Sequence, residues 1–317
     1  MRYSLILLSL IYAISYKCLA IEIYAHRGGA GLSPENTLEA IQTSLSLGVD
    51  VIDFDIGLTA DKVVVLYHDT TLNPDLTRNA KLEWLSLPGP ALKQITYKSL
   101  QQFDVGMIKP DSPYASLYPL QINKARVQIP DLRTALQVIK SSNKPVRLQI
   151  EIKTDPDPNQ QSPQPEEIVP ALISVLREER MADRVEVHSF DWRNLILLQQ
   201  LAPEINTSYL SDNELLNQNN YVIWLADNDV KALNYSYPSL IRQLGGRIWC
   251  PNYQDLTQDL LQEAHQLGLK VNVWTVDEPS DMLKMIALGV DGIISNRPDI
   301  LKGLLAATRQ CSKYACT

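Results

Sequence analysis

Three carboxylates are spaced as the ligands of a metal ion would be. Asp53 and Asp55 lie two positions apart in the apolar run 49–58, so in a strand both side chains project from the same face. Glu151 lies in a second such run. Neighbouring carboxylates repel one another unless a cation lies among them, and oxygen ligands alone suit a hard ion. The pattern therefore predicts that these three residues bind Ca²⁺ or Mg²⁺.

Two histidines and two cations accompany the carboxylates at the ends of apolar runs. His26 and His68 each follow a short run of strand-forming residues, and imidazole gains or loses a proton near neutral pH. Arg27 and Lys153 add positive charge beside them. A metal ion, two acid-base groups and two positively charged side chains together indicate a pocket in which the phosphoryl group of a phosphate ester is transferred.

A barrel would bring these residues together. Eight β-branched or apolar runs alternate with helical patterns, which predicts an α/β protein with a parallel sheet, and a closed (β/α)₈ TIM barrel leaves no edge strand exposed. An open, doubly wound sheet is the alternative. In such a barrel the functional side chains gather at the carboxyl ends of the strands. The predicted strands are 21–25, 49–58, 146–152, 184–189, 205–210, 247–250, 269–274 and 291–294.

The helical patterns fall between these strands. The capping residues agree with several of them, since Ser33 precedes Pro34 at a predicted helix start and Gly48 follows its end. The predicted helices are 34–47, 166–180, 193–201, 256–267, 279–288 and 300–308.

Two segments interrupt the alternation. Residues 63–66 are expected to pair with the second strand as a hairpin. Residues from about 70 to 128 form a long insertion between the second and third barrel strands, rich in Pro, Trp and Tyr. A segment of that length is usually functional when it is ordered. We expect it to lie over one mouth of the barrel.

The composition limits the classes of molecule that the protein is expected to bind. The chain has 317 residues, of which 45% are hydrophobic and 21% charged, and its formal net charge is −7. Its Lys and Arg residues are scattered singly, so a row of phosphates would find no continuous basic face. A nucleic-acid partner is therefore not expected, and a small-molecule substrate is. The oligomeric state is left open.

The first twenty residues have the pattern of a secretory signal peptide. Arg2 precedes an apolar stretch too short to span a bilayer, and Cys18 and Ala20 supply the small residues of a cleavage site. A secreted or periplasmic protein comprising residues 21–317, with no stable membrane span, is thus expected. A retained membrane anchor is the alternative. In an oxidising compartment Cys311 and Cys316 could form a disulfide, which would leave Cys250 as a buried free thiol.

The chain resembles the glycerophosphodiester phosphodiesterases. The resemblance follows one order along nearly all of residues 21–317, which makes it far more specific than any one tripeptide. Its motifs are His26-Arg27-Gly28, Ser33 to Thr37, Asp53-Phe54-Asp55, Leu58 to Asp61, His68-Asp69, Glu151-Ile152-Lys153, Ser189-Phe190-Asp191, Trp274-Thr275-Val276 and Gly289 to Ile294.

The resemblance implies a barrel enzyme that hydrolyses glycerophosphodiesters to glycerol 3-phosphate and an alcohol. The family usually has Glu at position 53, so the shorter Asp53 bears on ion preference more than on the reaction. Carried over residue by residue, the implied roles are catalysis for His26 and His68, metal binding for Asp53, Asp55 and Glu151, phosphate contact for Arg27 and Lys153, and an apolar wall for glycerol in Trp274.

Other interpretations remain open at this point. Arg27 with Asp55 and Lys153 with Glu151 could form a buried ion network without turnover. His188 and His265 are expected to be structural. Other functions are a phospholipase D-like enzyme acting on sphingomyelin or lysophospholipid, and a non-catalytic envelope protein that binds glycerophosphate groups.

Overall fold

The computed structural model describes residues 21–157, 161–231 and 236–314, with the side chains of 309–314 excepted. Eight parallel strands close into a barrel, and a ninth, β3, pairs antiparallel with β2. The predicted (β/α)₈ barrel is therefore confirmed. The strands are β1 (Glu22–Ala25), β2 (Val51–Leu58), β3 (Val64–Leu66), β4 (Arg147–Ile152), β5 (Val185–Ser189), β6 (Asn206–Ser211), β7 (Ile248–Pro251), β8 (Lys270–Val273) and β9 (Gly292–Ser295).

The barrel closes where the first strand meets the last. Tyr24 of β1 pairs with Val51 of β2 on one side and with Ile294 of β9 on the other. This double pairing excludes the open-sheet alternative. Asp55 lies beside Glu151, and Glu151 lies beside His188, in the registers of β2 with β4 and of β4 with β5.

Alternation along the strands directs one set of side chains toward the surrounding helices and the other set into the barrel interior. Ile52, Phe54 and Ile56 of β2 belong to the main core between the strands and the surrounding helices. The intervening Asp53 and Asp55 take the other face, as period two requires. A smaller apolar cluster comprises Tyr24, Val51, Leu210, Cys250 and Ile294. Cys250 is fully buried and free, as predicted.

The helices surround the barrel. Among the described residues the structure has five helices besides the six predicted from periodicity, and three of the five are only four or five residues long. The helices are α1 (Leu38–Leu47), α2 (Tyr97–Leu100), α3 (Pro113–Leu117), α4 (Leu132–Ser141), α5 (Pro165–Glu178), α6 (Trp192–Leu201), α7 (Tyr221–Trp224), α8 (Tyr237–Gln243), α9 (Gln258–Gln266), α10 (Pro279–Leu288) and α11 (Pro298–Tyr314).

One predicted helix start is wrong. Helix α1 begins at Leu38 rather than Pro34, because Thr37 is the capping residue and accepts a hydrogen bond from the backbone of Ala40. Asn36 just before it has a left-handed backbone (φ 55°). The chain thus bends at residues that the helical pattern had included.

The segment between β3 and α4 has a small core of its own. Buried side chains from β3 and from the long connection pack together there, among them Tyr67, Leu72, Leu92, Leu100 and Val127. This segment also contacts the turn after β1, since Gln121 donates to the backbone oxygen of Ala30 at 2.8 Å. It therefore lies against the same mouth of the barrel as His26.

Two sequence-based predictions concern parts of the chain that the structure does not describe. The signal peptide at 1–20 and the Cys311–Cys316 disulfide lie outside the described residues or side chains. Within the described part of the chain, no helix combines the length and apolarity needed to cross a membrane.

Candidate active site

His26 lies in a tight turn directly after β1. Arg27 and Gly28 both have left-handed backbones, with φ of 49° and 76°. A side chain at Gly28 would place its Cβ only 2.7 Å from that of Ala40, so this position requires glycine. The turn directs His26 and Arg27 into the same cavity.

A hydrogen-bond chain orients the His26 ring. Asn296, which follows β9, donates from its amide nitrogen to Asp277 Oδ2 at 2.7 Å, so its oxygen faces His26 Nδ1 at 2.8 Å. His26 Nδ1 is therefore the protonated nitrogen, and Nε2 is free to accept a proton. Enclosure of the ring, together with the charge of Arg27, lowers the pKa of His26 to about 4.

His68 has a different partner. Its Nδ1 donates to Asp69 Oδ1 at 2.5 Å, and the other oxygen of Asp69 accepts from Asn73 at 2.9 Å. Burial acts to raise the pKa of Asp69, but the hydrogen bond and charge of His68 lower it overall. Asp69 is therefore ionised, and it holds the His68 ring through Nδ1.

Lys153 links two of the three predicted metal ligands. Its Nζ lies 3.2 Å from Asp55 Oδ1 and 2.5 Å from Glu151 Oε1. Asp55 also contacts Arg27 Nε at 3.3 Å and accepts from Asn36 at 2.8 Å. Although burial acts to raise the pKa of Asp55, Lys153 and Arg27 hold it well below its usual range. Asp55 is therefore ionised within a ring of donors.

Asp53 is held by a histidine that the sequence analysis treated as structural. His188 Nε2 lies 3.0 Å from Asp53 Oδ1, and both side chains are almost fully buried. Burial opposes protonation of His188, but the Asp53 carboxylate raises its pKa overall. His188 also lines the same cavity as His26 and His68. In contrast His265 bonds Asp291 at 2.9 Å on the opposite side of the barrel, which agrees with a structural role.

Arg27 is bound on two further sides. Its Nη1 donates to Glu35 Oε1 at 2.9 Å and to the hydroxyl of Tyr114 at 3.3 Å. Glu35 thus holds Arg27 in place. Tyr114 belongs to α3, so the long connection contributes directly to the site.

Trp274 forms one wall. Its indole nitrogen donates to the backbone oxygen of Cys250 at 2.8 Å, and its ring meets Phe190 edge-on with centroids 5.2 Å apart. Both rings are half-buried and pack against the apolar cluster in the barrel interior. An apolar surface thus lies opposite the charged groups.

The predicted residues converge on one cavity of about 110 Å³. All of them line it except Asp55, which contacts two of the lining residues, Arg27 and Lys153. The lining residues that had been predicted are His26, Arg27, Asp53, His68, Glu151, Lys153 and Trp274.

Two carboxylates line this cavity and a third, Asp55, lies directly behind it, and oxygen donors of this kind suit a hard divalent ion. As they stand, these carboxylates are paired with His188 and Lys153, and among the described residues no group of three His, Cys, Asp or Glu has the arrangement of a metal site. Metal ligation by Asp53, Asp55 and Glu151 therefore stays a prediction.

Comparisons with known proteins agree with the geometry. Residues 26–300 match the model of the glycerophosphoryl diester phosphodiesterase family. The chain belongs to this family. A glycerophosphodiester phosphodiesterase from Caldanaerobacter subterraneus is 29% identical over 283 residues, which cover 89% of this chain and 97% of the relative.

Solved structures support the same assignment. A crystal structure from Silicibacter pomeroyi, named for this family, has a TM-score of 0.83 and 32% identity, and the match covers 91% of this chain and 94% of that one. A phosphodiesterase from Oleispira antarctica, solved with sn-glycerol-3-phosphate, shares the fold, with a TM-score of 0.67, 21% identity and coverage of 89% and 95%. The resemblance and the assignment as a phosphodiesterase are thereby confirmed.

Sequence reasoning missed four residues of this phosphodiesterase site. Asn296 and His188 do stand at strand ends, which is the signal that could have identified them. Asp277 and Tyr114 lie in connections, where no periodicity indicates which way a side chain points.

Proposed function

We propose that this enzyme hydrolyses glycerophosphodiesters to glycerol 3-phosphate and an alcohol by acid-base catalysis with two histidines. The observation that carries the proposal is the pair His26 and His68, which line one cavity but are held by an amide and by a carboxylate, respectively. Arg27 and Lys153 in the same wall would contact the phosphate.

The hydrogen-bond partners of the two histidines indicate which one acts as the base and which as the acid. His26, neutral at pH 7 and with Nε2 free, would take the proton of the attacking hydroxyl, either water or the glycerol 2-hydroxyl. A new P–O bond forms, and the P–O bond to the alcohol breaks. His68, beside ionised Asp69, would give its proton to the departing oxygen. In a cyclic pathway the roles reverse when water opens the ring.

The carboxylates would hold a divalent ion. Asp53, Asp55 and Glu151 are the candidate ligands, and Ca²⁺ or Mg²⁺ fits their oxygen-only chemistry. When bound, such an ion would neutralise charge on the phosphate oxygens. Lys153, which now contacts two of the three carboxylates, would then be available to the phosphate.

A chelation experiment tests the reaction and the ion separately. We expect the purified enzyme to hydrolyse glycerophosphocholine, to lose this activity in EDTA and to regain it with Ca²⁺ or Mg²⁺. Full activity in excess EDTA would contradict the metal requirement alone. If the metal-loaded enzyme hydrolysed no soluble diester, the proposed reaction would be wrong, and activity on liposomes would then favour a lipid substrate.

One observation favours a second candidate, a phospholipase D-like enzyme acting on intact lipid. Leu117, Leu120 and Ile122 expose 65%, 62% and 75% of their surface beside Tyr114, whose hydroxyl reaches Arg27. Exposed apolar groups near an active site suit a lipid surface. The test is activity on lysophospholipid or sphingomyelin in liposomes. A rate below that on glycerophosphocholine, unchanged in L117S/L120S, would exclude this candidate.

We also propose that the protein is exported. The support is the N-terminal pattern of a charged residue, a short apolar stretch and a small-residue cleavage site. Amino-terminal sequencing of the mature protein should begin at Ile21, and an intact residue 1 would contradict export by cleavage.

A further inference from the structure

A second and larger cavity adjoins the catalytic one. Its volume is about 370 Å³, at the lower end of the range for small-molecule sites. The two cavities share the side chains His68, Glu151, Lys153 and Phe190, whereas His26 lines only the smaller one. The larger cavity therefore lies on the His68 side of the bound phosphate.

That side is where the alcohol leaves. In the reaction proposed above, His68 gives its proton to the departing oxygen, so the group attached to that oxygen extends away from His26. The larger cavity is continuous with this position. The head group of a diester would therefore enter it.

The far wall of the cavity carries negative charge without a matching cation. Asp212 and Glu214 follow β6 and line the cavity, and among the described residues neither is found in an ion pair with Lys or Arg. The Asp212 carboxylate accepts only from the backbone of Glu214 at 2.7 Å and, weakly, from Asn252 at 3.5 Å. Lys231, on the same connection, instead bonds the backbone oxygen of Leu216.

Aromatic and apolar groups complete the wall. Trp224 of α7 and Phe190 after β5 line it together with Leu215 and Ile152. The Trp224 indole nitrogen is buried and has no hydrogen-bond partner within the described part of the chain. Aromatic faces beside carboxylates attract a cation that carries apolar substituents, and quaternary ammonium groups are recognised in this way.

The hydroxyl groups of the cavity are already engaged. Thr154 donates to Asp191 at 2.7 Å, and Ser189 donates to the backbone oxygen of Ile152 at 2.9 Å. A neutral polyol head group would therefore depend on Asp212, Glu214 and the amide of Gln218 for its hydrogen bonds, whereas an ammonium group would also neutralise the charge of the two carboxylates. The lining thus favours positive charge over hydroxyl groups.

We propose that this cavity binds the head group and selects alcohols that carry an ammonium group, choline above all. The inference rests on the proposed hydrolysis of diesters. It assigns Asp212, Glu214 and Trp224 as specificity residues, none of which takes part in the proton transfers.

The decisive comparison uses two diesters of nearly the same shape. Glycerophosphocholine and its 3,3-dimethylbutyl isostere differ in charge at one atom. We expect kcat/KM to be about tenfold higher for the choline ester, from cation–π and carboxylate attraction in a partly exposed site. Asp212→Asn, Glu214→Gln and Trp224→Leu should each reduce that preference, mainly by raising KM for the choline ester, while kcat for the isostere stays unchanged.

A matched control and a binding assay keep the outcomes distinct. Asp183→Asn removes an exposed carboxylate at the opposite end of β5 and should preserve the preference. Equal kcat/KM on the two esters, or equal losses on both in the variants, would overturn the head-group inference but leave the hydrolysis intact.

A binding assay tests the cavity even if no diester is hydrolysed. Choline alone, but not 3,3-dimethylbutanol, should change tryptophan fluorescence in the wild type and not in Trp224→Leu. A response equal for both compounds would overturn the inference.

Discussion

The surroundings of His26 and of His68 differ in one respect that matters for catalysis. His26 Nδ1 faces the neutral amide of Asn296, and Arg27 lies beside it, so the ring is held without charge. His68 Nδ1 faces the carboxylate of Asp69. The two rings thus differ in what their Nδ1 atoms face, which is an amide oxygen at His26 and a carboxylate at His68. In the proposed reaction this difference assigns the two histidines to opposite halves of the proton transfer.

The largest effect should come from removing either ring. His26→Ala and His68→Ala should each lower kcat/KM on glycerophosphocholine by about 10²–10⁴-fold, the usual contribution of an acid or base. A nitrophenyl diester separates the two, because its leaving group needs no proton. With that substrate the loss in His68→Ala should fall below about tenfold, while His26→Ala should remain defective.

His265→Ala is the matched control, because His265 lies at the other end of the barrel, and it should retain full activity. If the nitrophenyl ester rescued His26→Ala and not His68→Ala, the two roles would have to be exchanged.

A smaller effect is expected when only the charge behind His68 is removed. Asp69→Asn keeps the shape but weakens a hydrogen bond between charged groups, a change of about 1.5–3 kcal/mol that corresponds to about 10- to 10²-fold in rate. This loss should also shrink with the nitrophenyl ester. Asp111→Asn, an exposed change in the long connection, should have no effect. A loss of the same size on both esters would show that Asp69 does not act through the leaving-group proton.

The smallest expected effect at neutral pH concerns the base. Because the pKa of His26 lies at about 4, the free base persists well below pH 6, and activity should fall only as the pH approaches 4. Asn296→Asp would place a carboxylate at Nδ1 and raise that pKa by about 1–3 units. The acid limb of the kcat/KM profile should then move to higher pH, with little change in rate at pH 8. An unchanged limb would contradict the assignment of His26 as the base.

Strands and strand ends could be predicted from the sequence, whereas local bends could not. Period-two alternation in β2 placed Asp53 and Asp55 on the inner face because that face follows from backbone geometry alone. The start of α1 was misplaced because Asn36 adopts a left-handed backbone and bonds Asp55, a residue 19 positions away. Apolar periodicity contains no information about such a contact.

For individual polar side chains, too, the sequence predicted the position along the chain better than the contacts. Lys153 was predicted as a phosphate contact or as the partner of Glu151, and the structure shows that it contacts both Glu151 and Asp55. His188 was expected to be structural, yet it faces the cavity because β5 pairs in register with β4. Tyr114 comes from a segment without periodicity and was not identified as a contact of Arg27.

The sequence by itself determined which chemical groups stand at the ends of the barrel strands, since strand formation and side-chain alternation are local properties of the chain. Only the tertiary structure decided which partner each group has and therefore where its proton lies. Asn296 bonds His26 across 270 positions because β9 closes the barrel against β1. Hydrogen bonds and charge act over a few ångströms in space, and the distance between two groups in space is fixed only when the barrel closes.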